Sequence, residues 1–299
     1  MRFHVRRLHR WVALICAMPW IVILLTGLLL SLEPMAMDPA LRRNAVTLAA
    51  LETAIAKHDP AGKANTLNVR AYDNAILLSE GRGKPSIRID LATGAPIARE
   101  QRLWSDVLGT ARRLHENLLL DMKWLVDAVT IAMLVSILLG LLLGLPRLRN
   151  SLAGWHQVAA WVTLPLLILS PLTGLAIAYG ITLSGPPPKL DGPPVSLIEA
   201  VRVVAAKHDL AGVYWIRPMG GVLRARIYDG GQAKVFGVTR AGLVGSPQSW
   251  PRILHEGNWL GLWSGALNIL TSLVLIGMLA TGLVIWGRPR WRRRSRTHV

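Results

Sequence analysis

Residues 6–30 read RRLHRWVALICAMPWIVILLTGLLL, and residues 154–177 read GWHQVAAWVTLPLLILSPLTGLAI. Each stretch is a long apolar run with one histidine near its start, His9 in the first and His156 in the second. A helix of roughly 20 apolar residues is long enough to cross the ~30 Å hydrocarbon core of a bilayer. The two stretches therefore predict membrane-spanning helices, each with a histidine side chain near its N-terminal end.

Two more apolar runs bring the predicted number of transmembrane helices to four. Hydrophobic residues make up 52% of the 299-residue chain, which is too many for a soluble domain of this size. The first run is longer than the roughly 7–15 residues of a signal-peptide core, so we expect it to be retained. The predicted spans are residues 11–32, 124–145, 155–181 and 259–286.

The arginines predict how these helices are oriented. Lys and Arg number 34 against 17 Asp and Glu, a net charge of +17, and arginines cluster in residues 2–10, 147–149 and 288–296. If the helices alternate in direction, all three clusters lie on one side, which the positive-inside rule makes the cytoplasm. Both termini are then cytoplasmic. Because membrane topology accounts for the basic excess, we do not expect a nucleic-acid partner.

The chain repeats itself after about 150 residues. The fragment AKHDPAG at residues 56–62 returns as AKHDLAG at residues 206–212, and LHEN at residues 114–117 returns as LHEGN at residues 254–258. The two histidine-led stretches match in the same order. This pattern predicts a tandem two-helix repeat whose halves run parallel in the membrane.

The segments outside the membrane predict two small α+β domains. Each begins with an amphipathic helix, at residues 47–57 or 196–207, and continues with alternating apolar residues split by turns, which is typical of antiparallel strands. The strand-like runs are TLNVRAY, AILLSE and SIRIDLATG in the first copy and VYWIRP, VLRARIYD and AKVFGVTRAG in the second. Residues 184–196, rich in Pro and Gly, predict a stiff linker into the second domain.

The predicted fold class is thus membrane α-helical, with four transmembrane helices as a tandem two-helix repeat and two small α+β domains. The predicted segments are the basic N terminus with helix 1 (1–33), the first outside domain (34–113), helix 2 (114–146), a loop with helix 3 (147–181), the second outside domain (182–253), helix 4 (254–287) and a basic tail (288–299).

Several motifs point to one family. LHRW at residues 8–11, LTGLLL at 25–30, the IDLATG turn at 89–94 and LHEG at 254–257 resemble the PepSY-associated transmembrane helix family. The resemblance covers nearly the whole chain and implies a bacterial inner-membrane protein with PepSY-like periplasmic domains. The family includes ferric-siderophore reductases with b-type haem in the bundle. The chain departs from it where the second copy opens with GWHQ, where span two lacks Thr-Gly, and in having no flavin domain.

The resemblance implies a ligand role for four histidines. Two imidazoles that bind one haem from opposite faces must lie at equal depth, and the parallel repeat supplies this for two pairs. His9 and His156 lie at the inner ends of spans one and three, whereas His115 and His255 start spans two and four on the outer side. We therefore expect two haem b groups, with iron held by each pair, since bis-imidazole ligation suits electron transfer. The alternative is that these histidines only anchor helices at the interface.

Other polar residues have weaker predicted roles. His58 and His208 end the outside helices, where the helix dipole favours a solvated histidine. Glu116 and Glu256 follow the outer histidines, and either hydrogen-bond near a haem or belong to a solvated rim. Arginines on the predicted strands are either solvated or attract an anionic ferric chelate. These are Arg70, Arg88, Arg217, Arg224 and Arg226.

The chain contains no GxGxxG after a strand, no Walker A motif and no HExxH. We therefore expect an external electron donor, either quinol or a cytosolic flavoprotein. The predicted function is electron transfer across the inner membrane that reduces a ferric siderophore, or another ferric chelate, at the periplasmic side for iron uptake. Reduction weakens chelation by hard oxygen ligands. The alternative is a non-enzymatic, membrane-anchored PepSY protein that regulates a periplasmic peptidase or another partner.

Overall fold

The computed structural model describes residues 1–37, 46–81, 84–98, 100–101, 103–118, 121–146, 149–190 and 193–294. The chain divides into two units. The helix unit comprises Met1–Ser31, Thr110–Ile181 and Ala266–Val299, and the sheet unit comprises Leu32–Gly109 and Thr182–Gly265.

Helices and strands alternate along the chain in two similar blocks. The helices are α1 (Arg2–Ile15), α2 (Ala17–Leu30), α3 (Glu33–Ala36), α4 (Leu48–His58), α5 (Trp104–Asn117), α6 (Lys123–Leu142), α7 (Leu152–Val162), α8 (Leu164–Ala178), α9 (Leu197–Ala205), α10 (Trp250–Glu256) and α11 (Gly261–Arg294). The strands are β1 (Thr66–Arg70), β2 (Ala75–Ser79), β3 (Ser86–Asp90), β4 (Val213–Met219), β5 (Val222–Asp229), β6 (Gln232–Thr239) and β7 (Gly242–Gly245).

The apolar helices are those of a membrane protein. Within the described residues, three helical stretches are long and apolar enough to cross a bilayer: Ala17–Ala36, Lys123–Leu142 and Gly261–Arg288. The pair α7 and α8 qualifies only when taken together, and it is bent by 64°. Three of the four predicted spans therefore overlap a helical stretch long enough to cross a bilayer, and the remaining one is a bent pair.

Proline explains why both histidine-led stretches are broken. A proline has no N–H donor, and its ring clashes with the carbonyl four residues earlier. For Pro19 that carbonyl belongs to Ile15, the last residue of α1, and for Pro165 it belongs to Trp161, next to the end of α7. The expectation of one continuous helix at each site was therefore wrong. The helix that carries the histidine is separate from the apolar helix that follows it.

The core of the helix unit surrounds α6, which packs against α1, α2 and α8. The buried indole of Trp20 donates a hydrogen bond of 2.8 Å to the carbonyl of Val129 and so joins α2 to α6. Cys16 packs here as a small apolar side chain. The buried cluster consists of Cys16, Trp20, Ile23, Leu24, Val129, Met133, Leu167 and Leu275.

The strands of both repeats form a single sheet in the order β3-β2-β1-β4-β5-β6-β7, and each neighbouring pair is antiparallel. The two halves join where Leu67 pairs with Ile216 and Asn68 with Trp215. The expectation of two separate small domains was therefore wrong. An isolated copy would leave β1 or β4 as an unpaired edge, and pairing these edges satisfies their backbone hydrogen bonds.

Repeat-related elements also meet on the helical face of this sheet. Helices α4 and α9 contact each other, and Arg202 pairs with Glu52 at 2.5 Å. These two residues occupy the same position in the two copies, so the sheet unit has approximate twofold symmetry. Leu51 and Val201, from the two helices, are fully buried in the common core.

Local hydrogen bonds start both of these helices where the sequence predicted them. The Thr47 hydroxyl accepts a hydrogen bond from the Ala50 amide at 3.2 Å. Ser196 and Glu199 form a reciprocal capping box at the start of α9. The hydrogen bonds from Ser196 hold the pKa of Glu199 below its ordinary value, which keeps the capping carboxylate ionised.

The Pro-rich linker lies on the sheet. A Cβ built on Gly237 would overlap the side chain of Leu190, so glycine at this position allows the linker leucine to pack against the sheet. We expect Gly237→Ala to displace Leu190 and to accelerate tryptic cleavage after Lys189 several-fold, because the linker loses its contact. Mass spectrometry of timed digests would measure the rate.

The matched control is Gly245→Ala on β7, where a Cβ meets no atom within 4 Å. Equal cleavage rates in the two variants would contradict the linker contact.

Candidate functional site

A cavity of about 530 Å³ lies within the helix unit, among α1, α6, α7 and α11. His9 and His156 both line it. Small-molecule and cofactor sites usually enclose about 300–1,000 Å³, so this cavity has the size of a cofactor site. The structure thus brings the first predicted histidine pair to one cavity, although the two residues are 147 positions apart in the sequence.

The ring of His9 is oriented by α6. Its Nδ1 lies 2.9 Å from the carbonyl oxygen of Ser136. A carbonyl oxygen can only accept a hydrogen bond, so Nδ1 carries the proton and donates it. The lone pair of the neutral ring is then on Nε2, the nitrogen available to a metal ion.

The ring of His156 is oriented in the same way by α11. Its Nδ1 lies 2.7 Å from Oγ1 of Thr281, and that hydroxyl donates its own proton to the carbonyl of Gly277 at 2.7 Å. The hydroxyl therefore accepts from Nδ1–H, and Nε2 of His156 again carries the lone pair. A ligating histidine commonly has this kind of partner on its other nitrogen.

The two anchoring residues lie at similar depth. Ser136 is six residues before the end of α6 at Leu142, or about 9 Å along the helix. Thr281 is seven residues before Arg288, the end of the apolar stretch of α11, or about 10 Å. The imidazoles they hold therefore lie at matching distances from the basic ends of these helices.

Glycines leave space beside both rings. A Cβ on Gly140 would be 3.7 Å from Cε1 of His9, and a Cβ on Gly282 would be 3.7 Å from Cε1 of His156. Each imidazole therefore lies directly against the backbone of the neighbouring helix, which small residues permit.

Two arginines at the rim of the cavity were missed in the sequence as site residues. Arg6 and Arg10 line it and are exposed. Arg6 is three residues before His9 and four residues before Arg10, the spacings of neighbours on one face of a helix. That spacing was the signal in the sequence, but the positive-inside rule had already accounted for these charges.

His115 has the same ring geometry on a different helix. Its Nδ1 lies 2.9 Å from the carbonyl of Ile23 in α2, so this nitrogen also donates and Nε2 keeps the lone pair. A Cβ on Gly27 would lie only 3.0 Å from Cε1 of His115. Glycine at this position is therefore what allows the ring to lie against α2.

The outer histidines precede the apolar helices instead of starting them. His115 lies in α5, which ends before Leu118 at φ 53°, and His255 lies in α10, which ends before Gly257 at φ 68°. A residue in the left-handed region ends a helix, so the expected continuous span from residue 114 was wrong. Leu119 and Leu120 lie outside the described residues. The pairing of His115 with His255 stays a prediction.

The contacts within the helix unit place His9 and His115 at two different positions along the helix axes. Along α6, Val129 contacts Trp20 and Ser136 contacts His9, so α6 runs antiparallel to the N-terminal helices. Ser136 is seven residues from Val129, and Ile23, which holds His115, is three residues from Trp20 in the opposite direction. At ~1.5 Å per residue the levels of His9 and His115 are about 15 Å apart.

His58 and His208 have structural roles in the sheet unit. Nε2 of His58 lies 3.0 Å from the carbonyl of Gly94. The ring of His208 lies 5.2 Å from that of Phe236, and its Nδ1 is 3.7 Å from Asp229. The expectation that both are simply solvated was therefore wrong.

Glu256 belongs to a charged network in the sheet unit. Its carboxylate pairs with Arg226 and, at 2.9 Å, with Arg252, and it accepts a hydrogen bond of 3.0 Å from Asn258. Although burial opposes charge on Arg226, the neighbouring Glu256 raises the pKa of Arg226 above its ordinary value. Of the two predicted interpretations of Glu256, a solvated rim is therefore wrong.

The donor set suits a haem better than a bare metal ion. In the described part of the chain, no three His, Cys, Asp or Glu side chains form a metal-binding group. A bis-imidazole haem needs only two protein ligands, and His9 with His156 supplies two suitable nitrogens at the wall of an apolar cavity.

Comparison with known proteins bears on the family to which the chain belongs. No curated protein matches the chain significantly. The family model for the PepSY-associated TM region matches residues 6–288, which is nearly the entire chain. The chain therefore belongs to the PepSY-associated TM region family.

Proposed function

We propose that the protein is a b-type haem protein of the bacterial inner membrane that passes electrons outward to a ferric chelate. One observation carries the proposal: His9 and His156 line the same cavity, and each is held through Nδ1 by a neighbouring helix, which leaves Nε2 for iron. A haem bound there would supply a one-electron carrier within the bilayer.

The residues around the cavity have distinct roles in this proposal. The Ser136 carbonyl and the Thr281 hydroxyl hold the proton on Nδ1 and fix each ring. The cavity wall beyond the histidines is mostly apolar, including Leu24 and Met133, and would limit the access of water to a haem bound there. Arg6 and Arg10 at the rim would neutralise the carboxylates of the haem propionates.

A second haem, held by His115 and His255, is part of the proposal because of the sequence repeat. The Nδ1 bond of His115 to Ile23 supports its readiness as a ligand. Electrons would enter from quinol or a cytosolic flavoprotein and leave at the periplasmic side, if the arginine clusters at both termini mark the cytoplasm. Reduction of a ferric siderophore then weakens its oxygen ligation and releases iron for uptake.

The test is an absorbance spectrum of the detergent-purified chain, oxidised and dithionite-reduced, followed by mixing with a ferric hydroxamate. We expect a bis-histidine b-type spectrum that returns to the oxidised form when the chelate is added. A colourless protein, expressed with ample haem supply, would overturn the reductase proposal and favour the regulatory PepSY anchor.

Thr281 provides a second test at the same site. We expect Thr281→Val to lower haem retention about 10–100-fold, since loss of the partner that orients a ligating histidine has this effect on metal affinity. Gel filtration with competing apomyoglobin would measure how much haem remains bound.

Ser136→Ala is a milder comparison, because His9 keeps its backbone acceptor at 2.9 Å and loses only the 3.2 Å contact with the Ser136 hydroxyl. We expect this variant to lose less haem than Thr281→Val. If both variants retained haem like the native chain, the Nδ1 bonds would have no role in ligation.

A further inference from the structure

Helix α1 has a buried side and an exposed side. His9 and Val12 are partly buried on the side that packs against α6. Arg7, Trp11 and Ile15 are exposed and follow one another at intervals of four residues, the spacing of neighbours along a helix surface. The side chain of Trp11 is 52% exposed and that of Ile15 is 74% exposed. These three residues form a ridge, which we call the α1 ridge.

The four arginines of α1 have different surroundings. Arg6 and Arg10 line the cavity of the helix unit. Arg2 lies near the end of α6, where its Nη2 would be 3.7 Å from a Cβ built on Gly144. Arg7 does not line the cavity, and among the described residues its guanidinium group has no hydrogen-bond or ion-pair partner. Contacts within the fold therefore do not account for Arg7.

No nearby carboxylate in the sequence compensates this charge. Residues 1–32 contain neither Asp nor Glu. The acidic residues of the helix unit are Glu116, Asp121 and Asp127, and they lie just before α6 or in its first turns. Because α6 runs antiparallel to α1, these carboxylates lie toward the opposite end of the unit. The basic end that carries Arg7 therefore attracts anions from outside the chain.

Arginines of the sheet unit show the contrast. Arg88 forms two hydrogen bonds with Asp106, at 2.9 and 2.6 Å, and Arg226 pairs with Glu256. The chain thus supplies carboxylates for these arginines but none for Arg7 in the part that the structure describes.

The order of groups along the α1 ridge matches the order of groups in a phospholipid. A guanidinium group pairs with a phosphate through two parallel hydrogen bonds. An indole prefers the headgroup level of a bilayer, and its N–H can donate to an ester carbonyl. Ile15 offers an aliphatic surface to an acyl chain. At ~1.5 Å per residue the three positions are about 6 Å apart along the helix, so one lipid can contact all of them.

The second repeat lacks this ridge. Positions 147 residues after Arg7, Trp11 and Ile15 are Gly154, Val158 and Val162, none of which carries a charge or an indole. The histidine that lines the cavity is present in both copies, whereas the ridge is present in one. Neither the helix nor the position of its histidine therefore requires Arg7 and Trp11, and an external ligand explains them better.

We propose that the α1 ridge binds one anionic phospholipid, with its phosphate on Arg7, its ester groups beside Trp11 and an acyl chain along Ile15. Arg6 and Arg10 add positive potential on the same helix, which favours a lipid of net negative charge over a zwitterionic one. The site does not rest on the proposed function, because the three ridge residues do not line the cavity.

The experiment is native mass spectrometry of the full chain in neutral detergent, titrated with phosphatidylglycerol in one series and with phosphatidylcholine of the same acyl chains in the other. We expect phosphatidylglycerol to bind more tightly than phosphatidylcholine. Arg7→Gln should weaken the binding of phosphatidylglycerol about tenfold, the effect of losing a hydrogen bond between charged groups. Trp11→Phe keeps an aromatic ring without the N–H donor and should weaken binding about threefold.

Arg288→Gln is the charge-matched control, because Arg288 is also an exposed arginine of the helix unit but lies on α11. We expect this variant to bind phosphatidylglycerol like the native chain. Equal affinity for the two lipids would overturn the proposal. So would equal weakening by Arg7→Gln and Arg288→Gln, since it would show that net charge alone attracts the lipid. Haem counts of the same samples report separately on the proposed function, and the ridge variants should leave them unchanged.

Discussion

Replacing His9 by alanine is expected to remove one of the two proposed haems. The substitution deletes one axial nitrogen from the cavity, so a haem there would lose one of the two protein ligands that bis-imidazole ligation requires. The pyridine haemochrome assay on detergent-purified protein should count about one haem fewer per chain than in the native protein. His156→Ala should remove the same haem, so the double variant should lose no more than either single variant.

The control is His4→Ala on the same helix, because His4 is exposed and does not line the cavity. Imidazole added to the buffer should partly restore the spectrum of the His9→Ala protein, since it fits the space that the side chain vacated. His115→Ala should remove the other haem and leave this one. Full haem content in both His9→Ala and His156→Ala would show that another pair ligates the iron.

Replacing Glu256 by glutamine is expected to destabilise the sheet unit by about 3 kcal/mol, because it leaves the buried charge of Arg226 without the carboxylate that pairs with it. The side chains of Arg226 and Glu256 are 13% and 18% exposed. Among the described residues, the buried hydroxyl of Tyr214 has no hydrogen-bond partner, and burial raises the pKa of that phenol. The Tyr214 phenol therefore does not replace the lost carboxylate, and the charge of Glu33 is the anion that remains near Arg226. Urea unfolding followed by tryptophan fluorescence would measure the loss.

Arg252→Gln tests the same carboxylate from its exposed side. The Arg252 side chain is 47% exposed and lies one helical turn from Glu256, so we expect a loss of only about 0.5 kcal/mol. The double variant Arg226→Met with Glu256→Met should recover most of the stability, because the buried charge and its partner are removed together. Equal losses from Glu256→Gln and Arg252→Gln would contradict a buried ion pair.

The strands show how much of the sheet unit local pattern could predict. Alternation of apolar residues predicted β1 to β6, and Thr47 and Ser196 marked the starts of both amphipathic helices. The single sheet was not predicted, because nothing in either strand pattern reports which edge will pair with the other copy. The contact of Leu67 with Ile216 joins residues 149 positions apart, and local periodicity does not reach so far.

The candidate site, too, could be predicted from the sequence only in part. His9 and His156 were predicted from the repeat, since equivalent positions in parallel copies occupy equivalent depths. The partners that fix their rings, Ser136 and Thr281, were not predicted. A polar residue within an apolar helix has many possible neighbours, and only helix packing selects one of them.

The sequence by itself determined the apolar helices, the duplication, the strands and the family, because each depends on residue type and spacing along the chain. The tertiary structure alone decided that two strand sets form one sheet, that prolines separate the histidine-bearing helices from the apolar helices, and that the Nδ1 atoms of His9, His115 and His156 all have partners on neighbouring helices. These features depend on contacts between distant segments, whose free energy is realised only when the whole chain is packed.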